Sequence, residues 1–312
     1  MITWVFPGQG SQSVGMAEDL DGPAREVFEV ASDVLGWDVW RVCARGPEEK
    51  LGATEVTQPA VFTTAVAAAR SLMALGLAPD LVAGHSVGEV AALAVAGALP
   101  LEEAIRIVAI RADAMRRCGR SHPGGMAAVV GLPAEEVERL CEAVDGQVAP
   151  ANYNAPDQVV ISGADRPLVE AAARVREAGG RVIRLRVSIA AHSPMMRPAR
   201  DELAAAVDGV RWAHPRVPVV SGVTGRAHDR AEDLAGLVVE GVTSPVRWVE
   251  CVRTAAGWGN GLFVEVGPGN VLSGLVRRTV PEAEVVQVGG DAAAAQLADQ
   301  LMAIGGQRGS VG

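Results

Sequence analysis

The residues of this chain best suited to covalent chemistry are one serine, one or more of five histidines, and an arginine on an apolar helix face. The serine is Ser86, at the centre of Gly84-His85-Ser86-Val87-Gly88, a G-x-S-x-G pattern. The apolar run Leu81-Val82-Ala83 precedes it, and an Ala-rich stretch over residues 89–97 follows. Strand, tight turn and helix in that order make a nucleophile elbow. Glycines flank the serine because so sharp a turn leaves no space for Cβ atoms. The helix after the turn aims its free N–H groups and the positive end of its dipole at the serine, which suits a developing oxyanion.

A nucleophilic serine needs a base. The histidines are His85, His122, His192, His214 and His228. His85 adjoins Ser86, and neighbours on an elbow point in different directions. His192 follows a strand-like segment and precedes Ser193-Pro194, which reads as an N-cap and the first residue of a helix. A histidine at such a junction either projects over a cleft or is an ordinary loop residue. Arg111 lies in the helical stretch 101–117, where 100° per residue sets it between Ile107 and Ala104 in the apolar arc. A buried charge requires a partner. That partner is either an internal Asp or Glu, or the carboxylate of a substrate gripped in bidentate fashion. Residues 6–12 form a glycine-punctuated loop that can offer N–H groups to an anion, but the lysine of a phosphate loop is missing.

The elements that must position these residues alternate between strand and helix, the pattern of an α/β fold. Strands are predicted at residues 2–6, 81–83, 217–221 and 262–266, and helices at 61–75, 89–97 and 101–117. A glycine-rich break at 119–125 separates these from a segment of different pattern. That segment reads β-α-β-α-β over about 126–188, the size of a small inserted α+β subdomain. Its last strand alternates, with Ile183, Leu185 and Val187 against Arg184 and Arg186. The tail is Gly-rich and expected to be mobile.

Composition narrows the functional classes. With 312 residues, 49% hydrophobic and 21% charged, the chain can bury a large core. Aromatics make up only 4%, so Ala, Val, Leu and Ile must build that core. A net charge of −9 argues against nucleic acid as a partner. The four cysteines form no CxxC and no Cys/His cluster, so no metal is expected and reduced cytoplasmic thiols are. His85 and Glu89 interrupt the apolar stretch 81–100, which excludes a membrane span there, and the N-terminus lacks the basic start of a signal peptide.

Taken together, eight segments in order resemble the malonyl-CoA:acyl-carrier-protein transacylase family, which includes the discrete acyltransferases of polyketide synthesis. They are Phe6-Pro7-Gly8-Gln9-Gly10-Ser11-Gln12, Thr57-Gln58-Pro59-Ala60, the elbow with Glu89, and Arg111. Asn152-Tyr153-Asn154, His192-Ser193-Pro194-Met195-Met196, Ser244-Pro245-Val246-Arg247-Trp248 and Glu265-Val266-Gly267-Pro268-Gly269 complete the series.

The resemblance implies an α/β-hydrolase-like large subdomain (residues 1–124 and 190–300), an inserted ferredoxin-like small one (125–189), and a flexible tail (301–312). It implies ping-pong acyl transfer in fatty-acid or polyketide synthesis, with malonyl-CoA or an α-substituted malonyl-CoA as substrate and an acyl carrier protein as partner. No separate cofactor is expected. Ser86 would be the nucleophile, His192 its base, Gln9 and Val87 the oxyanion donors, and Arg111 the grip on the malonyl carboxylate. Gln58, His85 and Ala191 would line the substrate pocket. A main-chain carbonyl would orient His192; the family usually supplies it from a Gln, where this chain has Gly241. Val87 resembles the malonyl-selective pattern, whereas small Ala191 leaves room for an α-substituent. Because carrier proteins of this kind are acidic, a local basic patch is expected, with Arg117 and Arg278 as members. Two other readings use the same dyad: a hydrolase that clears carrier proteins, and transfer of a non-malonyl acyl group.

Overall fold

The computed structural model describes residues 1–259 and 261–309. Strand β1 (Ile2–Phe6) leads to helices α1 (Pro23–Leu35), α2 (Val39–Arg45), α3 (Glu48–Leu51) and α4 (Thr54–Ala74). Next come β2 (Leu81–Gly84), α5 (Gly88–Val95) and α6 (Leu101–Ser121). A compact insertion follows: β3 (Gly124–Val130), α7 (Ala134–Glu142), β4 (Val148–Ala155), β5 (Gln158–Ala164), α8 (Asp165–Glu177) and β6 (Arg181–Arg184). A 3-10 turn (Pro194–Met196) then opens α9 (Arg197–Val207), β7 (Val219–Val220), β8 (Ala227–His228) and α10 (Ala231–Glu240). The chain closes with α11 (Trp248–Gly257), β9 (Leu262–Val266), α12 (Val271–Thr279), β10 (Glu284–Val288) and α13 (Asp291–Gly309).

The large sheet has the order β10-β9-β1-β2-β7-β8 and is parallel except where β8 runs against β7. Its central strands are short apolar runs, ITWVF and LVAG, because helices cover both faces. With few aromatics, alanine-rich helices close the core; α4 is buried on nearly every side from Thr57 to Leu72.

The small sheet is antiparallel, in the order β4-β5-β3-β6. With its two helices it makes a β-α-β-β-α-β unit of ferredoxin-like topology. Strand periodicity gives its two faces different work. Ala127, Val129, Val159 and Ile161 pack with α7 and α8 in the small core. Met126, Ala128 and Val160 point the other way, into the large core and the site.

Four expectations change. The insertion has a further strand, β4, which carries Pro150 and two asparagines and pairs irregularly around Asn152 and Tyr153. The helix from Leu101 continues to Ser121, through Gly119. A Cβ at Gly119 would lie 2.4 Å from the Ile189 side chain, so this glycine serves a close approach instead of ending the helix. Strand β6 stops at Arg184, and Leu185 and Val187 line the site instead. The segment from 301 expected to be mobile is helical as far as Gly309; residues 310–312 lie outside the described residues. Among the described residues, no helix is long and apolar enough to cross a membrane.

Candidate active site

Ser86 stands at the turn between β2 and α5 with a left-handed φ of 56°. The glycines around it are sterically required. A Cβ at Gly84 would lie 2.1 Å from the carbonyl carbon of Gly88, and one at Gly88 would lie 2.2 Å from the Phe6 carbonyl oxygen. The loop after β1 packs equally close: a Cβ at Gly8 would meet the His85 carbonyl oxygen at 2.6 Å. That approach brings Gln9 beside Val87 on the wall of one cavity. The backbone N–H groups of Gln9 and Val87 donate to no other described residue.

His192 also has a left-handed backbone, with φ 57°, and is buried. Its Nε2 lies 2.8 Å from Ser86 Oγ. Its Nδ1 lies 2.8 Å from the Gly241 carbonyl oxygen and 3.2 Å from that of Ser244. Carbonyls only accept, so Nδ1 carries the proton and Nε2 is free to take one from Ser86. Burial, reinforced by the charge of Arg111, holds the imidazole down to about 3, so it stays neutral. Gly241 supplies the orienting carbonyl at full hydrogen-bond distance, and Ser244 adds a second one that the sequence reading missed. Ser193 precedes the Pro194 turn as expected, but its hydroxyl donates back to Ala190 O at 2.6 Å instead of capping it.

The partner of Arg111 is not an internal acid. The residue is buried, and it makes no salt bridge among the described residues. Nη1 donates to Gln58 Oε1 at 2.5 Å and Nη2 to Ser86 Oγ at 3.1 Å. Gln58 is oriented in turn through its amide, 3.6 Å from Met115 Sδ. Burial draws the guanidinium down to about 10, still charged at neutral pH, with Glu89 offsetting the shift. Glu89 is buried one turn beyond Ser86 and accepts from Gly222 N at 3.0 Å. Burial pushes its carboxyl up to about 7 against the hydrogen bonds from Ser221 and Gly222 and the charge of Arg111.

These groups converge on a cavity of about 260 Å³ between the large subdomain and the outer face of the small sheet. Gln58, His85 and Ala191 line it. His85 turns away from Ser86: its Nε2 meets Asn154 Oδ1 at 2.8 Å and its ring meets Trp248 edge-on. The Asn152-Tyr153-Asn154 motif was the available signal for that contact. Backbone bonds Tyr153 N to Val246 O and Val246 N to Ala151 O, both 2.8 Å, tie β4 to the loop that carries Ser244.

The two arginines of the expected basic patch both form ion pairs. Arg117 is engaged by Asp113 and Glu202. Arg278 pairs with Asp157 at 2.5 Å and also donates to Gln158, a cavity-lining residue.

Residues 3–300 match the acyl transferase domain. The chain is 39% identical to the malonyl CoA-acyl carrier protein transacylase of Haemophilus influenzae, over 91% of this chain and 94% of that one. It is 36% identical to the Bacillus subtilis protein of the same name, over 89% and 90%. The solved structure of the Coxiella burnetii malonyl CoA-acyl carrier protein transacylase superposes with a TM-score of 0.93 at 37% identity, covering 96% of this chain and 97% of that one. A malonyl-transacylase solved in complex with its type II polyketide-synthase acyl carrier protein gives a TM-score of 0.93 at 38% identity, covering 96% and 99%.

Proposed function

The chain belongs to the acyl transferase domain family, and from that premise we propose that it moves a malonyl group from CoA to the phosphopantetheine thiol of an acyl carrier protein, held meanwhile as an ester on Ser86. The observation that carries this reading is the hydrogen-bonded chain from the Gly241 carbonyl through His192 to Ser86 Oγ, with Arg111 on the same oxygen.

Ser86 Oγ attacks the thioester carbonyl as His192 Nε2 takes its proton. The carbonyl oxygen becomes an oxyanion beside the N–H groups of Gln9 and Val87. Collapse expels the CoA thiolate, which recovers the proton from His192. In the second half-reaction, His192 deprotonates the carrier thiol. The resulting sulfur attacks the ester, and Ser86 leaves with the proton. Arg111 has five N–H donors and spends two on Gln58 and Ser86. The others are available to the free carboxylate of the malonyl group, and among the described residues no acid lies within salt-bridge distance of Arg111. A carboxylate grip favours transfer of a dicarboxylic acyl group over simple hydrolysis of any acyl carrier.

Ala191 contributes a small side chain to the cavity wall, whereas Val87, also on that wall, matches the malonyl-selective pattern. A methyl-sized difference is worth about 1–3 kcal/mol in discrimination, so a single pocket contact of this size would separate malonyl-CoA from methylmalonyl-CoA only modestly. A CoA thioester and a carrier protein suit a cytoplasmic setting.

The test is Arg111→Ala with malonyl-CoA and acetyl-CoA compared in single-turnover acylation. Losing a charge-assisted grip lowers kcat/KM for malonyl-CoA by about 10²-fold, with a much smaller change for acetyl-CoA. Equal losses for the two would contradict the role given to Arg111.

A further inference from the structure

A second depression, of about 370 Å³, opens at the carbonyl end of α5. Eight helical residues, roughly 12 Å at 1.5 Å per residue, separate it from the elbow. Its floor is apolar, built from Val66, Met73, Leu99 and Trp212. Arg70, Arg211 and Arg216 line the same depression, and no Asp or Glu does. None of the three makes a salt bridge among the described residues, in a chain with 37 acids against 28 bases. The acids opening α6 do not fill the gap, since Glu103 pairs with Arg106 and neither Glu102 nor Glu103 lines the depression.

Three further observations mark this place. The Trp212 side chain lines the depression while its Nε1 is buried in the protein, so the depression meets the apolar part of the indole. The segment carrying Trp212 is strapped down on both sides, by Ala213 N to Ala98 O at 3.0 Å and Arg216 N to Ala96 O at 2.8 Å. Gly97 has a φ of 80°, and a Cβ there would lie 2.6 Å from Arg216 Nε, so the glycine lets the guanidinium rest against the backbone. The carbonyl end of α5 alone accounts for a cation at Arg216. It does not account for Arg70 and Arg211.

We propose that this depression is a binding site for a small amphipathic oxyanion. Its apolar body lies on Val66, Met73 and the Trp212 ring. Its carboxylate or phosphate head is held by Arg70, Arg211 and Arg216. Charge complementarity selects the head group and the apolar floor selects the body, so neither inorganic phosphate nor an uncharged chain satisfies both.

The probes are decanoate, decyl phosphate, decanol and inorganic phosphate, titrated by calorimetry and by tryptophan fluorescence on the full chain. Saturable binding is expected for at least one decyl anion, and the tighter of the two identifies the head group. Decanol and inorganic phosphate should bind at least about tenfold more weakly. The double substitution Arg70→Gln/Arg211→Gln, at exposed positions remote from Ser86, should weaken the decyl anion by about tenfold or more and leave malonyl transfer unchanged. Trp212→Phe should remove the fluorescence change while calorimetry still detects a weakened ligand. The proposal is overturned if neither anion binds, if decanol binds as tightly as the anions, or if the double variant binds them with unaltered affinity.

Discussion

Ser86 and His192 are the two non-glycine residues with left-handed backbones among the described residues, at φ 56° and 57°, yet they are held there by different means. The serine is held by steric fit. Gly84, Gly88 and the carbonyl of Phe6 approach so closely that no side chain could stand between them. The histidine is held by hydrogen bonding, from the carbonyls of Gly241 and Ser244 on a loop about fifty residues further along the chain. Backbone strain of this kind costs on the order of 1–3 kcal/mol per residue and persists only where the surroundings enforce it. The comparison teaches that the dyad has one partner fixed by packing and one fixed by a replaceable set of acceptors. The two should therefore fail differently.

The largest effect is expected at the packed partner. Gly88→Ala forces the new Cβ against Phe6 O, with no flexible side chain to yield. Stability should fall by more than about 3 kcal/mol, and acylation with it, read by denaturant titration and by rate. A stable, active variant would show that the elbow is less tightly fitted than its geometry implies.

A smaller effect on stability but a large one on rate is expected at the hydrogen-bonded partner. His192→Ala should fold and slow acylation by about 10²–10⁴-fold. Its pH dependence has a definite sign. The folded-state imidazole titrates near 3, below the 6.5 of the unfolded chain. Between those values the unfolded state binds the proton and the native state does not, so wild-type stability falls as pH drops through that window. The alanine variant should lose less stability over the same range. An identical slope in both proteins would mean that His192 is not held neutral.

The smallest effect is expected where the acceptor itself is altered. Gly241 has φ −58° and ψ −16°, a right-handed conformation open to any residue. Gly241→Ala keeps the carbonyl. Acylation should stay within about twofold, and stability should change by less than about 1 kcal/mol, the reduced freedom of the unfolded chain being offset by a Cβ that would lie 3.3 Å from Leu237 O. A tenfold loss of rate would mean that the glycine is needed for more than its carbonyl.

The same contrast explains what could be read from the sequence. The elbow was legible because its requirements are local: glycines at fixed offsets between an apolar run and an alanine-rich helix. The strand that carries it, β2, was legible as a short continuous apolar run, buried along its whole length. Strand β4 was not, because proline, asparagines and an irregular edge pairing erase the alternation that marks a strand. Arg111 could be placed on a buried face by helical periodicity, but its contacts with Gln58 and Ser86 depend on how α4 and α6 pack. The second carbonyl on His192 and the buried Glu89–Gly222 bond come from segments remote in sequence. The pairs of Arg117 with Glu202 and of Arg278 with Asp157 were hidden for the same reason, since each joins residues far apart along the chain.

The central claim is that Ser86 carries the acyl group. Intact-mass spectrometry after mixing with malonyl-CoA, followed by peptide mapping, tests it most directly. Wild-type protein should gain one malonyl group on the peptide containing Ser86 and lose it when holo acyl carrier protein is added. Ser86→Ala, folded by thermal denaturation, should gain none. A malonyl adduct on that variant, or a wild-type adduct mapping to another residue, would contradict the account.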